Sequence, residues 1–311
     1  MRVVAAVCAG VMLLAVPASL RAWGMDVHRF LTRRAIDGLP PDLKPFFAEQ
    51  RDFIAEHAAD PDLWRVVGPK GGLGDEDPNH HLDLDGLNDP PPFKNVPRDW
   101  NAFVAKYGID RANKAGRLPW RAEEIFTKLV SAFQDISKPT APYAADNARY
   151  LAAVLSHYVE DAHVPFHATA NYDGQSTNQR GIHARFETDL VLRNLSTLKL
   201  APVTIHPIGN VRDFVFDALI ESQSLVEGVL QADQKATAGR ESYDDGYVAA
   251  FLTGAGPILE KRMSEASSAV ASVIVSAWER AGKPTLPLRG ARTPARIRKQ
   301  TGEIPAPVLA P

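Results

Sequence analysis

"NARYLAAVLSHYVEDAHVPFH", residues 147–167, begins as a strongly helical run and ends in a cluster of histidines and acids that a proline interrupts. His157 and Asp161 stand four apart, so a helix projects both from one face about one turn from each other. Pro165 ends or bends that helix, and His167 follows in an irregular segment from which it can face back toward the same spot. Farther on, "GIHARFE", residues 181–187, repeats the spacing with His183 and Glu187. One such pair is more often a surface histidine with a helical acid beside it. Two helices that each offer imidazole and carboxylate point to a metal site, because both groups are good zinc ligands and the helix fixes their separation.

The surrounding chain reads as helices. Ile125, Leu129, Val130 and Phe133 recur at helical spacing, as do Val211, Val215, Ala218, Leu219, Ser222 and Val226. A third long stretch, Asp245 to Trp278, contains Pro257, which predicts a break or kink. Alternating strand patterns bounded by hairpin turns are missing, and so are internal repeats. The fold class expected is all-α, a single multi-helix domain over residues 23–282. With 45% apolar and 23% charged residues in a chain of 311, a sizeable core can be buried and disorder is excluded.

Residues 1–22 carry few charges and an apolar run from Val3 to Val16, which predicts a cleaved signal peptide and a secreted or periplasmic protein. Cleavage after Ala22 competes with a cut after Ala18. The apolar run is short for a spanning helix, so no transmembrane segment is expected in the mature chain. Cys8, the only cysteine, falls in the leader, which leaves any metal to nitrogen and oxygen ligands. Residues 283–311, rich in proline and arginine with no apolar period, read as a disordered tail. Removing both ends leaves an acidic domain, a poor general binder of polyanions unless cations are bound.

Further candidates lie upstream. "WGMDVH" places His28 five residues after Trp23, the first residue of the mature chain for a cut after Ala22. "AADPDLW" and "DPNHHLDLD" add Asp60, Asp62, His80, His81, Asp83 and Asp85 in segments too polar for core. "GPKGGLG" lacks the preceding strand and the Gly-Lys-Ser/Thr ending of a phosphate loop and reads as a flexible loop.

Taken in order, these segments resemble the superfamily of zinc-dependent phospholipases C and single-strand-specific nucleases: "WG" with a following His, "DPD", a His three residues before an Asp, "HYxxDxxxPxH" and "HxRFE". The resemblance covers most of the mature chain. It implies a helical domain holding three zinc ions in a cleft. Asp60, His80, His157 and Asp161 would hold the first; His167, His183 and Glu187 the second. Trp23, through its amino nitrogen and carbonyl oxygen, would join His28 and Asp161 at the third, with Asp161 bridging two metals. His80 is preferred to His81 by the register ending at Asp83, and His81 would then stand at a substrate-stacking position. His163 is expected outside the ligand set, beside it or on the surface, and His57 and His206 are expected at the surface or at helix ends.

That ligand set implies in-line hydrolysis of a phosphodiester by a zinc-bridging water, with Asp60 accepting or orienting its proton. Glu187 and the motif around it resemble the phospholipases, whereas the spacing from Trp23 to His28 resembles the nucleases. The expectation is a phospholipase C-like phosphodiesterase acting as a monomer without a protein partner. A single-strand nuclease is the alternative, and a secreted zinc-binding protein without turnover is a second.

Overall fold

The helix anticipated from residue 147 spans Ala144–Asp161 (α8), and every residue from Ala152 to Thr169 is buried. A helix buried all round is the centre of a domain. Around it, a computed structural model, which describes residues 24–71 and 74–288, arranges the other helices. On its N-terminal side in sequence come α1 (Met25–Asp37), α2 (Lys44–Ala48), α3 (Arg51–His57) and α4 (Asp60–Val67). Two 3₁₀ turns then lead to α5 (Trp100–Tyr107), α6 (Ile109–Ala115) and α7 (Leu118–Asp135). After α8 follow α9 (Ile182–Ala184), a π-helical turn over Arg185–Asp189, α10 (Leu190–Asn194), α11 (Val211–Thr237) and α12 (Asp245–Arg280). The fold is all-α, and no strand occurs among the described residues.

Two apolar clusters form the core. One joins α2, α3 and α5–α8 to the start of α11 and the end of α12 through Phe46, Phe103, Phe133, Leu155 and Ile274. The other joins α1, the segment 164–191, the end of α11 and the start of α12 through Leu31, Phe166, Phe186, Phe251 and Met263. Each fully buried side chain of this size contributes about 1.5–3 kcal/mol. Truncating Leu155, which is wholly inaccessible, costs about 2–5 kcal/mol. The histidine cluster draws its residues from elements of both.

Of the break or kink expected at Pro257, there is no break: α12 runs through it. Pro257 is exposed, as is Thr253, whose carbonyl loses its partner to the proline and can turn to water. On the opposite face Tyr247, Phe251, Ala255, Leu259 and Met263 are buried and hold the helix in place. Gly254 brings it against α11, because a Cβ there would meet Ala232 at 2.8 Å.

Between α10 and α11 an extended strap lies along α12. The backbone N–H groups of Ala201, Thr204, His206 and Ile208 donate to the hydroxyls of Ser264, Ser268, Ser272 and Ser276 at 3.0–3.1 Å. Four helical residues rise about 6 Å, close to the rise of two extended ones, so the repeats stay in step from Thr204 to Ile208, with one extra strap residue between Ala201 and Thr204. The chain remains docked just beyond the domain limit expected at residue 282: Trp278 Nε1 donates to the Pro284 carbonyl at 3.0 Å and Leu286 packs on the core. Residues 1–23, where a leader is expected, residues 72 and 73, and residues 289–311, where a disordered tail is expected, lie outside the described residues.

Candidate metal centre

α8 ends at Asp161, and its last turn carries His157, Glu160 and Asp161 inward, all inaccessible to solvent. Asp161 is the hub. Its Oδ2 lies 3.0 Å from His80 Nδ1, 3.3 Å from His157 Nε2 and 3.9 Å from His167 Nδ1, and its Oδ1 lies 3.5 Å from His28 Nε2. His80 arrives at the end of the 3₁₀ turn Asp77–His80, and His167 at the end of Pro165–His167. These two segments lock together: Leu82 N donates to the His167 carbonyl at 2.9 Å, and His167 Nδ1 donates to the His80 carbonyl. Gly116 lets α6 pass beneath them, with φ +111° and only 2.0 Å between a hypothetical Cβ and the His81 carbonyl oxygen.

His183 and Glu187 are supplied by α9 and the π-helical turn after it, a distortion frequent at functional sites. His183 Nε2 and Glu187 Oε2 face each other at 3.0 Å, with His167 Nε2 3.8 Å from the same oxygen. Three buried groups result whose ligand atoms lie within 4.8 Å of one another: His28, Asp62 and His157; His80, His157 and Asp161; and His167, His183 and Glu187.

The donor set fits a metal cluster. Both ring nitrogens of His183, Nε2 of His28 and of His167, and Oδ1 of Asp161 are buried without a hydrogen-bond partner, a costly arrangement unless cations complete it. Burial holds the His28 imidazole down to about 3, and burial also keeps His80, His167 and His183 below the ordinary histidine range. These rings are therefore neutral, the form that binds metal. Burial acts the same way on His157, but Asp161 outweighs it and the net shift is upward. For Asp161 itself burial is outweighed by His157 and His167, and the carboxylate stays ionised. Burial pushes Glu160 well above the usual carboxylate range, against a Thr32 hydrogen bond.

One expected ligand is corrected. Asp60 is in none of the three groups, and its Oδ2 accepts from His57 Nδ1 at 2.8 Å and from the Tyr150 hydroxyl at 3.0 Å. Asp62 takes its place beside His28 and His157. Both acids open α4, and two residues along a helix turn a side chain to the other side of the axis. The proton-handling role read onto Asp60 has no geometric basis there. Trp23 lies outside the described residues, so the structure carries no statement about its coordination.

A cleft of about 320 Å³ opens onto His80, His167 and His183, and Arg65, His81, Asp83, Lys114 and Tyr172 line it. His81 is thus beside the cluster rather than in it. Arg65, one turn after Asp62 on α4, lies 3.2 Å from that carboxylate and 3.8 Å from Asp77. The sequence reading passed over it, although the spacing Asp-x-x-Arg on a helix start was visible. Burial pushes the Asp83 carboxyl up to about 6. His163 is buried and separate from the ligands, its Nδ1 donating to the Val159 carbonyl at 2.7 Å. His57 is half-buried against Asp60 and His206 is exposed on the strap. No family model and no curated protein matches this chain.

Proposed function

We propose that the chain is a zinc-dependent phosphoester hydrolase holding three ions, with Asp62, His80, His157 and Asp161 at the first, His167, His183 and Glu187 at the second, and His28, Asp161 and Trp23 at the third. What carries the reading is the convergence of buried, neutral imidazoles and carboxylates on one cleft that an arginine also lines. When bound, divalent ions supply Lewis acidity toward a phosphoryl oxygen and offset charge on the departing one. The chain's own groups do the rest. Arg65 offers a planar donor fork to the phosphate, and Asp62 is the carboxylate that holds or orients a proton at the reacting centre. Cations at the cluster let an acidic domain receive an anionic substrate. A leader at residues 1–22 and export to the periplasm or medium belong to the same proposal. No helix among the described residues is long and apolar enough to cross a membrane.

A phospholipase C-like substrate is supported by the helix that bears Asp62 and Arg65. Leu63, Val66 and Val67, spaced i, i+3, i+4 on α4, are 45%, 62% and 80% exposed, an apolar stripe beside the phosphate-facing arginine. A second reading, a single-strand nuclease, is favoured by the cleft walls. Asp83 Oδ1 and Asn113 Oδ1 are buried without partners and so suit the N–H groups of a base, while Tyr172 and His81 offer stacking faces. The test uses one zinc-loaded preparation with short-chain phosphatidylcholine and with single-stranded DNA. Faster release of phosphorylated head group supports the first reading and faster DNA cleavage the second. A protein that holds zinc yet acts on neither substrate would refute both.

A further inference from the structure

We propose that Glu160 is the positioning residue of His28, giving that imidazole the direction it needs to hold a metal ion; this rests on the metal-binding reading above. Glu160 is wholly buried, and its two oxygens are directed to one face of α1. Oε2 lies 2.6 Å from His28 Nδ1, and Oε1 accepts from the Thr32 hydroxyl at 2.9 Å. His28 and Thr32 are four residues apart on α1, so one carboxylate of α8 holds two successive turns of its neighbour. With Nδ1–H donated to Glu160, the remaining nitrogen, Nε2, presents its lone pair toward Asp161 Oδ1 at 3.5 Å.

The other histidines show why this one needs a side chain. His157 Nδ1 is fixed by the Ala58 carbonyl at 2.8 Å, and His167 Nδ1 by the His80 carbonyl. Both carbonyls lie where helices or turns end and have lone pairs to spare. His28 sits on the buried face of the first turn of α1 and is directed by an acid from α8 instead. A hydrophobic side chain would fill the space occupied by Glu160 at lower desolvation cost. What this side chain adds is orientation: one oxygen holds Nδ1 at 2.6 Å while the other is fixed by Thr32, the arrangement in which a second partner directs a ligating histidine.

The experiment compares the full-length processed protein with Glu160→Gln, Glu160→Ala and Thr32→Val. Zinc stoichiometry and affinity are measured by competition with a chelator, and melting temperature is measured with and without Zn²⁺. The expected result is that one zinc equivalent weakens about 10–100-fold in Glu160→Ala, less in Glu160→Gln, which keeps an acceptor, and least in Thr32→Val. The remaining equivalents should hold. Without metal, Glu160→Gln should melt at or near the wild-type temperature, because Gln keeps the volume and an acceptor oxygen in the same buried place, while its zinc-induced rise shrinks. A lowered metal-free melting temperature with an unchanged zinc-induced rise would assign Glu160 a purely structural role and overturn the proposal. Wild-type affinity at every site in both Glu160 variants would overturn it as well. Wild-type protein that binds no zinc would instead refute the metal-binding reading itself.

Discussion

Replacing Asp62 by Asn, with Asp60→Asn as its partner experiment, decides which acid of "DPD" serves the cluster. Asp62 is 1% exposed beside His28 and His157, so Asn keeps the volume and one oxygen while removing a buried charge. Two unit charges about 4 Å apart interact by about 4 kcal/mol at an effective dielectric of 20. Losing that toward even one unit of the ion's charge weakens binding at least about a thousandfold. Arg65 keeps Asp77 at 3.8 Å, which limits the cost to the metal-free fold. Asp60 serves a half-exposed His57 and the Tyr150 hydroxyl, and its neutralisation should cost about 1 kcal/mol or less. Zinc affinity by chelator competition and chemical denaturation of the metal-free variants give both numbers. If Asp60→Asn lost as much zinc as Asp62→Asn, the assignment of ligand and bystander would be wrong.

Three further outcomes are expected. Gly116→Ala should lose about 1–3 kcal/mol from the forced positive φ alone, and because the new Cβ drives into the His81 carbonyl, zinc affinity should fall with it; unchanged urea midpoint and metal content would contradict the packing described. In chelated protein, Asp83 has a folded value near 6 against an ordinary 3.8, so the native state keeps a proton that the unfolded chain loses. That stabilisation is complete below about pH 4 and is lost as pH rises through about 6; Asp83→Asn should flatten this decline, and equal slopes for both proteins would remove the effect. Replacing Leu63, Val66 and Val67 together by Ser should slow hydrolysis of micellar phosphatidylcholine several-fold while sparing a water-soluble phosphodiester. Equal slowing on both substrates would dissociate the stripe from lipid.

Much of the architecture is legible in residues whose periodicity matches their burial. Ile125, Leu129 and Phe133 on α7, and Val211, Val215 and Leu219 on α11, are all buried as their spacing predicts. His157 with Asp161 and His183 with Glu187 meet as helical spacing requires, although the second pair spans a π-helical turn no sequence rule signals. The choice between Asp60 and Asp62 depended on the phase of an eight-residue helix, and helix starts are uncertain by a residue or two from sequence. Whether Pro257 breaks α12 depends on whether the freed carbonyl reaches water, which is a tertiary fact. Glu160 was plainly visible beside Asp161, but its role required α1 to be laid against α8. The four-residue recurrence Ser264, Ser268, Ser272, Ser276 was likewise on view, with nothing local to reveal what it receives.

That recurrence gives residues 201–208 an unusual kinetic character. Most of these side chains are exposed, yet four amide hydrogens are engaged by hydroxyls anchored to a long helix; Ser264 and Ser272 also donate back to the carbonyls of Glu260 and Ser268. Sliding the strap by one residue would break all four contacts together, so the connection opens as a unit or stays closed. In hydrogen–deuterium exchange, Thr204 and His206 should therefore show slow amides on a solvent-facing segment, and a protease that needs an extended loop should find this one already occupied.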